Sequence, residues 1–308
     1  MPNCWFCYKD AEDEQYHKRC CRKFFGTDQV PELKLDKQLL HDLAEENINK
    51  RIAVTGVQPK LSLTLQKEKG AARLTIVGLW GEYILKPQHE RYPWMPETED
   101  LTMHLASVFK LTTCGNCLIR TSGGELAYIA RRVDRRGGQK IHVEDFCQLS
   151  EFLTEQKYKG SYEKAGKLVL KYCTNRGLDA LTYFELVLFS FLTGNNDMHL
   201  KNFSLVHGEG DIRLSPAYDL LNVALVNPAD QEELGLILNG KKSRINKDDF
   251  VALATSLNIP KKAWANSFKK FSSKDTSVEE LIHASFLPEE AQHRYYEIWT
   301  GRKNALHL

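Results

Sequence analysis

Residues 188–206 read Leu188-Phe-Ser-Phe-Leu-Thr-Gly194-Asn-Asn-Asp197-Met-His199-Leu-Lys201-Asn202-Phe-Ser-Leu-Val206, and residues 214–219 read Leu214-Ser-Pro-Ala-Tyr218-Asp219. An apolar helix runs into a polar loop, the loop into a short β-prone segment, and an acidic residue returns soon afterwards. Asp197 and Asn202 are separated by four residues, the spacing at which phosphotransferases set a base beside a metal ligand. Standing alone, such an aspartate is most often a turn or N-cap residue. The weight therefore rests on what accompanies it.

Upstream, residues 52–65 alternate apolar and polar on both sides of a turn, residues 73–77 continue the pattern and residues 82–87 end it, as strands do. The turn is Thr55-Gly56-Val57-Gln58-Pro59-Lys60, and a glycine turn of this kind can lay backbone N–H groups on phosphate oxygens. Lys86 closes an apolar strand before Pro87, where a kinase carries the lysine that holds the α- and β-phosphates. A solvated strand-end lysine is the plainer alternative. Residues 97–109 have apolar side chains at 101, 105, 108 and 109 and predict a helix with a buried face. Glu97 and Glu99 lie in its first turn, and Glu99 is the expected partner of the Lys86 ammonium, although acidic residues favour helix N-termini in any case.

A hairpin is expected around Ser122-Gly-Gly124, and the composition changes sharply at Asp134-Arg-Arg-Gly-Gly138. A hinge at 131–136 would offer backbone groups to an adenine edge, with a β-rich N-lobe over 27–130 and a helical C-lobe over 131–308. Helices are expected at 36–46, 143–155, 161–175 and 179–193, the last buried nearly all round. A hairpin of 203–206 with 212–214 brings Asp219 back, and helices over 246–256, 261–271 and 277–300 close the chain.

The chain has 308 residues, 42% of them hydrophobic, with 42 basic against 40 acidic side chains, a net charge of +2 and a pI near 8.0. A packed core is within reach, and no overall field marks a nucleic-acid binder. The longest apolar run, 186–192, is far short of the roughly 20 residues of a membrane span, and Met-Pro-Asn-Cys-Trp does not read as a signal peptide. Eight cysteines, four of them within the first 21 residues, suggest metal chemistry in a reducing cytoplasm more than a disulfide framework. Cys4-x2-Cys7 followed by His17-x2-Cys20 would complete a tetrahedral zinc shell within residues 1–26, with Trp5, Phe6, Phe24 and Phe25 as an apolar cap. The alternative is a Cys-rich segment packed on the body. Cys114-Gly-Asn-Cys117 lacks a partner pair and is read as structural, and Cys147 and Cys173 as buried thiols.

Lysine, glutamate, aspartate, asparagine and aspartate thus occur in kinase order at element boundaries. The wording is narrower still. Thr55-Gly56-Val57-Gln58-Pro59-Lys60, Ile84-Leu-Lys86-Pro, Arg132-Val133-Asp134-Arg and above all Asn195-Asn-Asp197-Met-His199-Leu200-Lys201-Asn202-Phe with Pro216-Ala-Tyr218-Asp219 resemble the HipA-family serine/threonine kinases of bacterial toxin–antitoxin systems, over roughly residues 50–300. Because the glycine turn comes early, by residue 56, the chain looks most like HipT, the short kinase of the tripartite HipBST arrangement.

The resemblance implies an α+β, two-lobed protein-kinase-like fold and a toxin that phosphorylates an aminoacyl-tRNA synthetase, the tryptophanyl enzyme favoured, so that translation stalls. Asp197 would be the catalytic base. ATP would contact residues 55–60, Lys86, Arg131, Arg132 and Val133, residues 199–202, Tyr218 and Asp219, with Mg2+ on Asn202 and Asp219. His199 and Lys201 would touch the phosphates or brace Asp197. Partners would be a small HipS-like protein and a HipB-like helix-turn-helix antitoxin, with nucleic acid met only through the latter. Two departures stand out. The serine at which family members autophosphorylate is replaced by Ala53-Val54-Thr55, leaving Thr55 as the candidate, and the Cys/His segment is foreign to the founding members. Rival readings are a small-molecule kinase of the aminoglycoside-phosphotransferase type, which shares D-x-H-x-x-N, and a pseudokinase adaptor, which would not need Lys86, Asp197, Asn202 and Asp219 together.

Overall fold

The structure, a computed structural model, describes residues 3–12, 14–35, 60–68, 71–77 and 80–308. The turn at 55–59, with the expected autophosphorylation residue Thr55, and the helix expected at 36–46 lie outside the described residues. Two compact units emerge, Met1–Asp100 with Gly115–Arg132 and Leu101–Cys114 with Val133–Leu308.

The first unit is built on a six-stranded sheet of order β1-β3-β2-β4-β6-β5, formed by Glu32–Leu33 (β1), Leu61–Glu68 (β2), Ala71–Ile76 (β3), Tyr83–Lys86 (β4), Asn116–Arg120 (β5) and Leu126–Arg131 (β6). All its pairings are antiparallel except that of β1 with β3. Alternation turns Leu61 and Leu63 of β2 to one face, and the register sets Leu63 opposite Tyr83 and Leu85 opposite Ile129, so neighbouring apolar side chains form one core with Cys117 and Ile119. The helix Lys18–Phe25 (α1) ends at Gly26, whose φ of 70° is the left-handed conformation that glycine adopts without a Cβ penalty. Its Phe24 and Phe25 rings lie 5.7 and 5.6 Å from that of Tyr83. Residues 3–26 thereby join the core of the sheet.

The helix Met95–Val108 (α2) begins in the first unit, and from Leu101 its residues count with the second. The reason is packing: Phe109, just beyond it, stacks on Phe271 at 4.4 Å and Trp299 at 5.5 Å. In the second unit, Arg135–Arg136 (β7) pairs antiparallel with Gln139–Lys140 (β8), and Val143–Asp145 (β9), Ser204–His207 (β10) and Ile212–Leu214 (β11) form an antiparallel sheet of order β11-β10-β9. Helices Tyr162–Tyr172 (α4) and Arg176–Leu192 (α5) follow the short Phe146–Leu149 (α3). Ten consecutive residues of α5, 183–192, include only Glu185 outside the buried set, as its all-round apolar sequence requires.

Two expectations are corrected. The helix expected over 143–155 is instead β9, the single turn α3 and a 3-10 turn at Thr154–Gln156. Val143 to Asp145 pair with β10, and Asp145 caps α3 by accepting the Gln148 N–H at 2.8 Å. Glu151, at φ 56°, ends it. The single helix expected over 277–300 is two, Asp275–His283 and Glu289–Ala305. Pro288 lacks the N–H a continuing helix needs and serves as the N-cap of the second.

Candidate active site

In the first unit, Lys86 ends β4 with its Nζ 2.5 Å from Glu99 Oε1, their side chains 6% and 2% exposed. The sequence suggests both Glu97 and Glu99 in the first turn, but α2 starts at Met95, so Glu97 is the first-turn acid and Glu99 lies one turn further in. A charge pair this far from water persists only when geometry and further contacts offset desolvation; the Tyr128 ring, 5.5 Å from Nζ, supplies one. Glu97 is bound by the Gln88 amide at 2.8 and 3.0 Å, and burial pushes its carboxyl up from the ordinary range. Arg131 ends β6, but its guanidinium donates to the carbonyls of Lys23 and Phe24 and lies 5.3 Å over the Phe24 ring. Its side chain thus neutralises the carbonyl end of α1. The Arg132 N–H donates to the Glu82 carbonyl, and Lys60 is exposed at the start of β2.

In the second unit, α5 ends at Leu192 and the chain turns at Gly194, φ 68°. A Cβ there would meet Asn222 Oδ1 at 2.8 Å and Ile298 Cγ2 at 2.9 Å, so glycine is required for both conformation and space. A Cβ on Gly235 would lie 3.0 Å from Met198 backbone atoms. The loop is further held by Tyr162, whose hydroxyl donates to the Met198 carbonyl at 2.8 Å, and by the Asn196 amide on the Glu232 carbonyl at 3.0 Å. Within it, the His199 N–H donates to the Asp197 carbonyl and the Asn202 N–H to the His199 carbonyl, which winds Leu200–Asn202 into a 3-10 turn.

That turn fixes what each side chain meets. Asp197 Oδ1 accepts the Tyr158 hydroxyl at 2.5 Å, and burial, reinforced by the Asp197 charge, pushes the Tyr158 phenol well up. His199 packs edge-on to Tyr158 at 5.0 Å, and its buried Nδ1 has no hydrogen-bond partner among the described residues. Burial pulls its pKa below the ordinary 6.5, against the opposing pull of Asp197. Lys201 is turned to Asp145, Nζ to Oδ2 2.8 Å. Asn202 is 4% exposed, and its carboxamide makes no hydrogen bond among the described residues. Tyr218 donates its hydroxyl to the Lys201 carbonyl at 3.0 Å, so the Ser204 hydroxyl, 2.5 Å away, donates to it. Asp219 has φ 59°, a left-handed conformation that costs an L-residue about 1–2 kcal/mol and concentrates at functional positions. Its charge is felt at Tyr158, His199 and Tyr218.

Asp197, His199, Asn202, Tyr218 and Asp219 are therefore gathered around one loop, and Lys86 and Glu99 are paired. Leu200 is buried in the 3-10 turn, and Val133 follows the end of β6. The carboxamide of Asn202 and the carboxylate of Asp219 are oxygen donors that fit a hard divalent cation. Sequence reading missed Tyr158 and Asp145. Nothing local marks Tyr158, which lies 39 residues from Asp197; Asp145 carried a readable signal, the capping box Asp145-Phe-Cys-Gln148.

Residues 52–279 match the family model of the HipA-like C-terminal domain. A Shewanella oneidensis protein, serine/threonine-protein kinase toxin HipA, is 31% identical over 204 residues, covering 59% of this chain but only 46% of the toxin's length. The solved complex of the Shewanella oneidensis toxin–antitoxin system, HipA with HipB and its operator DNA, contains a chain that superposes with a TM-score of 0.69 at 24% identity, over 86% of this chain and 71% of that one. The Helicobacter pylori proinflammatory kinase CtkA superposes with a TM-score of 0.53 at 15% identity, over 76% and 90%. Both likenesses are of fold, β-rich in one unit and helical in the other. The helix-fed loop from Gly194 to Asn202, the returning Asp219 and the buried Lys86 belong to a chain of the HipA kinase family, carrying its HipA-like C-terminal domain.

Proposed function

We propose that this chain is an ATP-dependent serine/threonine protein kinase acting in the cytoplasm as a toxin. Its target would be an aminoacyl-tRNA synthetase, the tryptophanyl enzyme first among them, whose phosphorylation halts translation. The observation that carries the reading is the pairing of buried Lys86 with Glu99 in a chain that also holds the uncommitted, buried Asn202 amide on the turn that follows Asp197.

Phosphoryl transfer asks the protein chiefly for position and charge compensation. Lys86, its ammonium fixed by Glu99, would hold the α- and β-phosphates of ATP. Asn202 and Asp219 would hold Mg2+, which offsets charge on the phosphates. Asp197, oriented by Tyr158, would take the proton of a substrate serine hydroxyl as that oxygen bonds to the γ-phosphorus and ADP departs. Thr55 and the turn to Lys60 would cradle the phosphates, and phosphate on Thr55 would set negative charge there and restrain activity. A HipB-like antitoxin, by analogy with the Shewanella complex, and a HipS-like small protein would neutralise the kinase.

The test is to incubate the chain with Mg2+ and radiolabelled ATP in a bacterial lysate and identify labelled species by mass spectrometry. A synthetase labelled on serine or threonine is expected. Label found only in small molecules would overturn the protein-kinase reading in favour of a small-molecule phosphotransferase.

A further inference from the structure

The first unit holds a side-chain cluster that phosphoryl transfer does not use. The Sγ atoms of Cys4, Cys7 and Cys20 and a ring nitrogen of His17 all lie within 4.8 Å of one another, and all eight cysteines of the chain are free thiols. Cys7 Sγ is 3.4 Å and Cys20 Sγ 3.8 Å from His17 Nδ1. Tetrahedral zinc, with Zn–S of about 2.3 Å and Zn–N of about 2.0 Å, sets its sulfurs roughly 3.8 Å from one another and about 3.5 Å from the nitrogen. The two Sγ–Nδ1 separations bracket the sulfur–nitrogen value, and no two ligand atoms lie further apart than 4.8 Å.

We propose that Cys4, Cys7, His17 and Cys20 bind one zinc ion in a closed, structural Cys3His site. The surroundings are built for it. His17 Nε2 lies 2.9 Å from the Asp10 carbonyl, which can only accept; the ring proton is therefore on Nε2 and the Nδ1 lone pair faces the sulfurs, the orientation a metal-binding imidazole takes from its outer partner. Cys4 opens a knuckle in which the Cys7 and Tyr8 N–H groups turn back onto its carbonyl at 3.2 and 3.0 Å, with Tyr8 at φ 60°. The His17 N–H points at Cys4 Sγ, 3.3 Å away. Cys20 follows on the first turn of α1. Four protein ligands leave no open position, so the site is structural and not catalytic.

Its consequence is mechanical. The knuckle joins the main sheet through the Leu118 N–H on the Trp5 carbonyl, and Phe6 packs 5.8 Å from Phe24 and 6.1 Å from Phe25, the rings that cover Tyr83 of β4. Tyr8 donates to Asp100 Oδ2 at 2.8 Å, next in sequence to Glu99. Zinc would thus brace the strand that carries Lys86 and the helix turn that carries its partner. Metal binding would supply folding free energy in addition to this packing.

The test uses the full chain, grown with zinc and purified without chelator. Elemental analysis is expected to give about one zinc per chain, and the zinc-edge X-ray absorption spectrum a shell of three sulfurs at about 2.3 Å and one nitrogen at about 2.0 Å. His17→Cys should keep the metal with a four-sulfur shell, Cys147→Ser should leave content and spectrum unchanged, and Cys7→Ser should lower zinc affinity at least tenfold. Each readout is independent of kinase activity. A freshly purified chain with far less than one zinc, a shell of oxygen and nitrogen only, or a disulfide among Cys4, Cys7 and Cys20 would overturn the assignment.

Discussion

Replacing Glu99 by alanine would remove the carboxylate 2.5 Å from the Lys86 ammonium, whose side chain is 6% exposed. Breaking a buried pair from one side costs about 3–5 kcal/mol, because the remaining charge is still desolvated. For a unit of this size that corresponds to a fall on the order of 10 °C in melting midpoint. Removing both charges is different: Lys86→Met with Glu99→Leu replaces the pair by apolar groups of similar volume and should restore most of the loss. Function should not follow stability. The double variant, though folded, keeps no ammonium for the phosphates and should lose both ATP affinity and transfer. The assay is a double-mutant cycle by thermal and denaturant unfolding, with nucleotide binding measured by calorimetry on each folded variant. A cost below about 1 kcal/mol for Glu99→Ala would match an exposed ion pair and refute the reasoning, as would wild-type ATP affinity in the double variant.

Other outcomes follow from the loop. Tyr158→Phe removes the hydroxyl that orients Asp197 and should lower kcat about tenfold, equivalent to ~1.4 kcal/mol, with KM for ATP unchanged; a matching rise in KM would point to a nucleotide contact instead. Gly194→Ala forces a Cβ into Asn222 and Ile298 at a left-handed position and should destabilise by about 1–3 kcal/mol in denaturant titrations. Because burial lowers the His199 pKa below 6.5, the unfolded chain takes up the proton first. Stability should therefore fall as pH drops from about 6.5 toward the depressed folded value, and His199→Gln should flatten that part of the unfolding profile.

Much of the site was legible because its chemistry requires particular residue types on particular turns. Asp197, His199 and Asn202 fall on one tight turn, where sequence spacing and spatial spacing are nearly the same thing, and Lys86 sits at a strand end marked by Pro87. Glu99 is readable only as one of two acids near the start of α2, since the first-turn position itself belongs to Glu97. Tyr158 is not readable, since contact with Asp197 depends on how α4 packs and leaves no periodic trace. The role of Lys201 was similarly hidden: its ammonium is taken by Asp145, whose place depends on β9 being a strand and not a helix. Residues 143–155 were misread because polar, mixed sequence fits several short elements equally well, and only pairing with β10 decides. The break at Pro288 is legible in the sequence itself, because proline lacks the N–H that a continuing helix needs.

The central claim is that Asp197 serves transfer of the ATP γ-phosphate to protein. The most direct measurement compares radiolabel incorporated into lysate proteins by the wild-type chain and by Asp197→Ala, both with Mg2+ and at equal nucleotide occupancy confirmed by calorimetry. A labelled protein band that weakens by about 10² to 10⁴ in the variant is the expected result. Equal labelling by the two chains, or no protein labelled by either, would contradict it.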